Sequence, residues 1–302
     1  MAVSVKTMFG GSGEGVELTT FYQRSTTPYP ASSSGGIAPS ASVVFRDELH
    51  TLGNSTLHYK FNRSEWTTVS TLPYSISGEC VGRTIVCDDE IHVFGNADHP
   101  RYHYMWNGTA WTQLRDITLT PNLGIYYIAA AKISTGVEHI FIVDRFNVQI
   151  YDNGNYDTVC TFDTVPFERI YSICSIDSTI FITTTTGSAS TSTYNSVYYL
   201  DVSDASPTWT FAGYGGYDST QNTLCAFNGA VHSLGGYYNN AALSTHTKYQ
   251  SGTSWVKENP LPIRTSVMSC VEYDNNINIV GCRGTNLETN AHYVLDGTIY
   301  IK

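Results

Sequence analysis

Histidine and cysteine are the residues of this chain that we consider first as ligands of a zinc or copper ion. The chain has nine histidines and seven cysteines among its 302 residues. A zinc or copper site needs several such ligands to converge on one point. No two cysteines have the Cys-x-x-Cys spacing of a metal-binding or redox motif. Whether any of these residues converge therefore depends on the elements that position them.

Most of the histidines recur at two positions of a repeated pattern. Phe141, Phe181 and Asn278 occupy the first position in the remaining copies. Because a position that accepts phenylalanine serves packing, we interpret these histidines as core side chains and expect neither a metal site nor a cofactor. The histidines at the first position are His50, His92 and His232, and those at the second are His58, His103, His246 and His292.

The repeat itself is marked by aromatic residues about 45 positions apart. Before each of them runs a short apolar segment that often ends in glycine, as in residues 49–53, 91–95, 231–235 and 277–281. Each copy divides into four strand-like runs separated by turn residues such as Asn153-Gly154. The aromatic residues are Trp66, Trp111, Tyr156, Trp209, Trp255 and Tyr300.

Six copies of four short strands predict an all-β fold, a six-bladed β-propeller. One such sheet cannot cover both of its faces, whereas six around an axis cover one another. The pattern resembles the kelch repeat, with an intact double glycine at Gly235-Gly236 and an intact Tyr-Asp at Tyr151-Asp152. The resemblance covers residues 42–302 and implies a galactose-oxidase-type propeller.

Within this fold the cysteines are predicted to be mostly reduced and buried. Cys87, Cys174, Cys225 and Cys270 fall on the first strand of their copies, which lines the central channel. A free cysteine there behaves as a small hydrophobic residue. Cys282, beside Arg283, is the candidate for a reactive thiol, because a basic neighbour lowers a thiol pKa.

The N-terminal 40 residues differ from the repeats. Residues 10–13 and 32–36 have the glycine- and serine-rich composition of linkers. We therefore predict a flexible, extended N-terminal arm over residues 1–40 and a propeller over residues 41–302. Residues 16–22 could form one strand against a sheet edge or a partner chain. Residues 298–301 complete the sixth sheet in this interpretation, so no closing strand from the arm is needed. The arm is expected to dock protein partners in a larger assembly, and its removal to leave the propeller folded.

Charge and composition limit the partners. The chain has 16 Lys+Arg against 26 Asp+Glu, a net charge of −10, which argues against binding nucleic acid. No apolar run is long enough for membrane insertion, and the first residues lack the order of a secretory signal. The low content of charged residues, 14%, and the abundance of Ser, Thr, Asn and Tyr resemble bacteriophage tail or capsid-decoration proteins. A virion location is favoured, and the cytoplasm is the alternative.

Long loops are predicted to gather on one face of the propeller. Connections between second and third strands, and between sheets, share this loop face, whereas tight hairpins share the opposite turn face. Tyrosine rings on the loop face suit a glycan or a protein surface. The candidate binding residues are Arg101, Tyr102, Tyr126, Tyr127, Arg145, Tyr194, Tyr214, Tyr217, Tyr237, Tyr238 and Arg283.

The favoured hypothesis is a non-catalytic module that binds a protein or a cell-surface glycan. The kelch resemblance also implies possible enzymes, copper-radical oxidases and sialic-acid mutarotases among them. A sialidase-like hydrolase is another alternative, because Arg101, Arg145, Arg264 and Arg283 could supply an arginine triad, although residues 107–111 match only the tail of the sialidase box. A cytosolic kelch-type adaptor is a third. We assign no catalytic residue.

Overall fold

Short strands joined by turns make up the described part of the chain. The computed structural model describes residues 20–26, 41–52, 56–74, 84–95, 101–118, 129–134, 138–144, 146–162, 169–185, 195–215, 221–238, 241–261, 263–283 and 291–296. These ranges contain 26 strands and no helix. Accordingly, no helix in them is long and apolar enough to cross a membrane.

The strands follow one another at the spacing of the sequence repeat. The first thirteen are β1 (Thr20–Thr26), β2 (Ala41–Phe45), β3 (Glu48–Leu52), β4 (Leu57–Phe61), β5 (Trp66–Thr71), β6 (Thr84–Cys87), β7 (Glu90–Phe94), β8 (His103–Trp106), β9 (Trp111–Gln113), β10 (Ala129–Ser134), β11 (Glu138–Val143), β12 (Asn147–Asp152) and β13 (Asn155–Thr161). The others are β14 (Arg169–Ile176), β15 (Thr179–Thr185), β16 (Asn195–Asp201), β17 (Thr210–Tyr214), β18 (Thr223–Phe227), β19 (Ala230–Leu234), β20 (Tyr237–Tyr238), β21 (Ala241–Ala242), β22 (His246–Ser251), β23 (Ser254–Lys257), β24 (Ser266–Tyr273), β25 (Asn276–Arg283) and β26 (Ala291–Asp296).

Six four-stranded antiparallel sheets form the blades of a propeller, as predicted. Blades 1 to 4 are β2-β3-β4-β5, β6-β7-β8-β9, β10-β11-β12-β13 and β14-β15-β16-β17. Blade 5 is β18-β19-β22-β23, with the hairpin β20-β21 inserted, and blade 6 is β24-β25-β26-β1. The first strands contact one another in the order β2, β6, β10, β14, β18, β24 and back to β2, which closes the ring.

The sixth blade corrects one expectation from the sequence. Its outer strand is β1, which pairs antiparallel with β26 from Thr20 opposite Asp296 to Thr26 opposite Ala291. A closing strand from the N-terminal segment is therefore present, and residues 298–301, expected in that place, lie outside the described residues. Pairing segments from both ends of the chain closes the ring with backbone hydrogen bonds. For residues 1–19 and 27–40, also outside the described ranges, the arm remains a prediction.

Arg24 attaches the closing strand to the first blade. Its guanidinium lies over the ring of Phe61 in β4, 5.0 Å from the centroid. One of its nitrogens is 3.6 Å from the carboxylate of Asp274, which also binds Arg63 of blade 1 at 2.8 Å. A cation above an aromatic face and a shared carboxylate are both attractive. The closing strand is thus held by side chains as well as by its ladder.

The recurring aromatic residues bridge neighbouring blades. The indole N–H of Trp111 in blade 2 donates to the Ser70 hydroxyl of blade 1 at 2.9 Å. That of Trp255 in blade 5 donates to the Ala212 carbonyl of blade 4 at 2.7 Å. Trp66 of blade 1 packs against His292 of blade 6, with ring centroids 5.6 Å apart. Each ring therefore covers the preceding blade and gives its polar N–H a partner where one is shown.

Loss of the closing strand is expected to destabilise the propeller. Deletion of residues 1–26 removes β1 and exposes the edge of β26, so the melting temperature should fall by roughly 5–10 °C. Differential scanning calorimetry measures this shift. Deletion of residues 1–19, which retains β1, is the matched control and should leave the melting temperature within about 2 °C. Equal stability of the two truncations would contradict the role of β1.

Candidate functional site

The two faces of the ring differ in their connections, as the strand order predicted. First and second strands are joined by tight turns in which both central residues have positive φ, as at Asp88-Asp89 (50° and 58°) and Asn228-Gly229 (49° and 68°). Asn153-Gly154, with φ of 47° and 85°, makes the same kind of turn between β12 and β13. This backbone twist matches that of the flanking strands.

Ion pairs join the turns of neighbouring blades on this turn face. Arg46 of blade 1 holds Asp89 of blade 2 at 2.5 Å and also lies over Phe45, 4.6 Å from the ring centroid. Hydrogen bonding to Arg46 lowers the pKa of Asp89, and hydrogen bonding to Arg63 lowers that of Asp274. The charged groups of this face thus serve contacts between blades.

Two tyrosines on the opposite, loop face are exposed. Tyr214 ends β17 with 52% of its surface accessible, and Tyr238 lies in the β20-β21 hairpin with 40% accessible. Among the large hydrophobic side chains that the structure describes, only Val256 is exposed besides these two. Both tyrosines are among the binding residues predicted from the sequence, and they are the described members of that set whose rings are most available to a partner.

The segment that carries Tyr214 contacts blade 5, the blade whose β20-β21 hairpin carries Tyr238. Gly215, next to Tyr214, accepts a hydrogen bond on its carbonyl from the Thr247 hydroxyl of blade 5 at 2.5 Å. A β-carbon at Gly215 would lie 3.1 Å from the Ser233 hydroxyl, near the end of β19. Gly235-Gly236, with φ of 65° and 124°, then turns the chain into the hairpin bearing Tyr238.

Other predicted binding residues take different places. Tyr102 is half-buried and packs against Tyr74 and Tyr104 with ring centroids 5.8 and 5.9 Å apart, so it joins the blade 1–2 connection to β8. Its neighbour Arg101 is exposed, and Tyr237 is half-buried. The rest of the set lies outside what the structure describes, Arg283 for its side chain alone, and stays a prediction: Tyr126, Tyr127, Arg145, Tyr194, Tyr217 and Arg283.

An axial channel of about 490 Å³ runs between the first strands. Its described lining comes from blades 1, 2, 4, 5 and 6 and consists mainly of small and aliphatic residues. Glu272 is the one charged residue of this described lining, and no arginine belongs to it. Glu272 lies next to the turn that ends β24, at the far end from the loop face. The described lining therefore lacks the arginine–carboxylate grouping expected of a sialidase-like enzyme.

Three of the four cysteines expected in the channel lie there. Cys174, Cys225 and Cys270 line the cavity on β14, β18 and β24. Cys87 instead packs between blades 2 and 3 with Phe94 and Ile117, which corrects its expected position. The two positions differ along the strand, because Cys87 is the last residue of β6, opposite Glu90 beside the turn, whereas Cys225 lies in mid-strand opposite His232. The side chain of Cys282 lies outside the described residues.

The recurrent histidines form buried hydrogen-bonded pairs within blades. His50 Nδ1 lies 2.7 Å from His58 Nε2, and the pairs His92–His103 and His232–His246 each have 2.9 Å between the same atoms. In blade 6, Asn278 replaces the first histidine and its Oδ1 accepts from His292 Nε2 at 2.9 Å. All seven histidines are buried, which confirms that these are core positions.

Further hydrogen-bond partners define which histidine donates and which accepts in two of these pairs. The His246 Nδ1–H must donate to the Asn259 carbonyl at 3.2 Å, so its Nε2 accepts from His232. Likewise Tyr156 donates to the Arg115 carbonyl, so His103 donates to the Tyr156 hydroxyl at 2.6 Å. His246 and His103 are therefore neutral imidazoles, and both of their ring nitrogens take part in hydrogen bonds. Neither nitrogen is left free to bind a metal.

One group of potential metal ligands does appear elsewhere among the described residues. Cys87, Asp88 and Glu138 have ligand atoms within 4.8 Å of one another on the turn face between blades 2 and 3. The Asp88 backbone N–H donates to Glu138 at 3.3 Å, and the Cys87 sulfur lies 3.8 Å from the Asp88 carboxylate. These contacts already connect the two blades. The grouping therefore has a structural explanation.

Comparison with known proteins supports the fold. No known protein family matches the chain, and no curated protein matches it in sequence. A solved structure of YjhT aligns over 90% of this chain and 95% of its own length, with a TM-score of 0.65 and 11% sequence identity. At that identity the similarity shows the propeller architecture alone.

Because of the buried histidines, we expect the folding stability of the protein to fall at acidic pH. Burial lowers the pKa of His50, His92 and His246 to about 4 and that of His103 to about 2, below the ordinary value of 6.5. Between about pH 4 and 6.5 the unfolded chain binds more protons, so stability falls as the pH falls through this window. For one buried histidine whose pKa falls to about 4, this difference amounts to roughly 2 kcal/mol of stability lost between pH 7.5 and 5, and the losses of hydrogen-bonded partners do not add. Thermal melting across this range measures the loss.

A double substitution tests the cause. H92F/H103V places in blade 2 the side chains that blade 3 has at the equivalent positions, Phe141 and Val148. The variant should have a shallower pH dependence of melting temperature than the wild type, because two titrating groups are gone. A wild-type melting temperature that is constant from pH 7.5 to 5 would refute the explanation, as would an unchanged slope in the folded variant.

Proposed function

We propose that this propeller is a non-catalytic binding module that recognises a glycan or a protein through its loop face at blades 4 and 5. The observation that carries the proposal is the exposure of Tyr214 and Tyr238 on the loop face of two neighbouring blades, 4 and 5. Exposed aromatic rings on well-packed supports are a common basis of recognition, because little conformational entropy is lost on binding.

The chemistry of this surface suits an uncharged, amphipathic ligand. A tyrosine ring offers a flat apolar face to the C–H groups of a sugar or to an aliphatic side chain, and its hydroxyl can form hydrogen bonds. The chain has only 14% charged residues and a net charge of −10, so an acidic ligand would gain little from electrostatic attraction. Neutral glycans and polar protein surfaces are therefore the favoured partners.

The axial channel supports a binding role over a catalytic one. Hydrolysis of a glycoside needs two carboxyl groups at a defined separation, and sialidase-like chemistry adds a cluster of arginines. The described lining of the channel offers one carboxylate, Glu272, and no arginine. Among the described residues, the exposed tyrosines are thus better supported as a functional feature than any acid–base pair.

We further propose that the chain is a kelch-type propeller that works within a phage virion. Glycines with positive φ directly follow second strands at Gly95 and Gly235, and Gly281 lies two residues before the end of β25. Trp111 and Trp255 bridge blades from their fourth strands. These features support kelch-type blades. The virion setting is supported by the Ser-, Thr-, Asn- and Tyr-rich, weakly charged composition. N-terminal residues outside the described ranges would then contact neighbouring virion proteins.

The binding face is tested by screening the full chain on a glycan array and against virion proteins, followed by affinity measurement for the strongest hit. In Y214A/Y238A the affinity should fall by at least about tenfold, because two exposed aromatic contacts are removed. Y214F/Y238F should retain most of the affinity if the ring faces make the contact, and lose it if the hydroxyls do.

V256A is the matched control. Val256 is exposed to a similar degree, 39%, but lies on β23, the outer strand of blade 5. The affinity of V256A for the same ligand should equal that of the wild type. Wild-type affinity in Y214A/Y238A, with an unchanged melting temperature, would overturn the proposed face. Turnover of an arrayed glycan would overturn the non-catalytic assignment.

A further inference from the structure

We infer that the axial channel contains a thiol site for one soft monovalent metal cation, formed by Cys225 and Cys270 with Cys174 beside them. The proposed binding function does not use these residues. They occupy the first strands of three consecutive blades, on β18, β24 and β14, and all three line the same cavity of about 490 Å³. Residues far apart in sequence are thereby brought to one wall of the channel.

Cys225 and Cys270 pack in one cluster at the boundary of blades 5 and 6. The Cys270 thiol donates at 3.4 Å to the carbonyl of Leu224, the residue before Cys225, and the Cys225 thiol donates at 3.6 Å to the Ala226 carbonyl. Cys174 is close enough to interact electrostatically with both. The three sulfurs do not all lie within 4.8 Å of one another, so the arrangement is two thiols in one packed cluster with a third thiol on the wall of the same cavity.

This arrangement favours particular metals. Thiolate ligands select soft ions such as Cu(I), and monovalent ions of this group accept two sulfur ligands in a line. Structural zinc requires four ligands, which the pair and its neighbour do not supply. The surrounding side chains of Ile173, Leu224 and Val271 are apolar, and hard ions that prefer oxygen ligands would lose their hydration there without replacement.

The cavity can accept a monovalent cation without gaining net charge. Burial raises the pKa of the Cys174 thiol, and hydrogen bonding to Cys225 together with burial raises that of Cys270, so both are neutral thiols at pH 7. One thiol loses its proton to solvent as the cation binds, and the cation is then shared between a thiolate and a thiol. No electron is transferred. Affinity should therefore rise about tenfold for each pH unit while one proton is released.

Silver(I) is the appropriate probe, because it has the same ligand preference as copper(I) and needs no reductant. The reduced full chain is dialysed against Ag(I) buffered by a competing ligand, and bound silver is measured by mass spectrometry of the metal. We expect one high-affinity equivalent in the wild type, at least about tenfold weaker binding in C225S/C270S, and an intermediate loss in C174S.

C160S is the control, since Cys160 is half-buried on β13, the outer strand of blade 3, away from the channel. It should bind silver as the wild type does. An undiminished high-affinity equivalent in C225S/C270S would overturn the site, as would an equal loss in C160S. An affinity independent of pH would contradict the proton release.

A second measurement needs no variant and so does not depend on the folding of C225S/C270S. The wild type is alkylated with N-ethylmaleimide with and without one equivalent of Ag(I), and the modified cysteines are identified by peptide mass spectrometry. Silver should slow the modification of Cys270 at least tenfold and leave that of Cys160 unchanged. Protection confined to other cysteines, or equal at Cys270 and Cys160, would overturn the proposal.

Discussion

The architecture depends on the covering of each sheet by the next one around the ring. The buried histidine of a third strand and the recurring aromatic residue of the following blade meet at this contact. Between blades 1 and 2, the ring centroids of His58 and Trp111 are 5.5 Å apart, and both rings form a hydrogen bond with the Ser70 hydroxyl. An apolar contact alone would not specify the angle between blades, whereas a hydrogen bond from a ring nitrogen does. The same contact makes the fold sensitive to acid.

Closure of the ring follows from the same constraint. A sixth sheet with three strands would leave the edge of β26 unpaired and Phe61 of the first blade without the Arg24 side chain above it. The strand from the N-terminal segment removes both defects. The closing strand is consequently held to the rest of the sixth blade by a ladder, and to the first blade by a shared carboxylate and a cation above an aromatic ring.

The two faces differ in how their connections are used, and this difference explains where a binding site can lie. Short turns and ion pairs such as Arg46–Asp89 join the blades on the turn face, so substitutions there disturb the scaffold. On the loop face the chain can vary in length and composition without disturbing the sheets, and Tyr214 and Tyr238 are exposed there. The channel between the faces is lined by first strands, where small side chains and thiols fit.

Periodicity along the chain was sufficient to predict six blades, their strands and the packing role of the histidines, because these properties depend on local alternation and on spacing. His92 and Phe141 share a position, and that substitution alone indicates a core site. The sequence could not show that β1 pairs with β26, since a ladder between distant segments uses backbone groups that all residues possess.

Side-chain direction was likewise decided by the tertiary structure. Tyr102 and Tyr214 are both loop-face tyrosines, yet one packs against Tyr74 and the other is exposed. Cys87 and Cys225 both lie on first strands, yet only the second lines the channel, because Cys87 is the turn-end residue of β6 and packs against blade 3. Spacing thus predicts which element carries a residue, while the packing of neighbouring blades decides what that residue contacts.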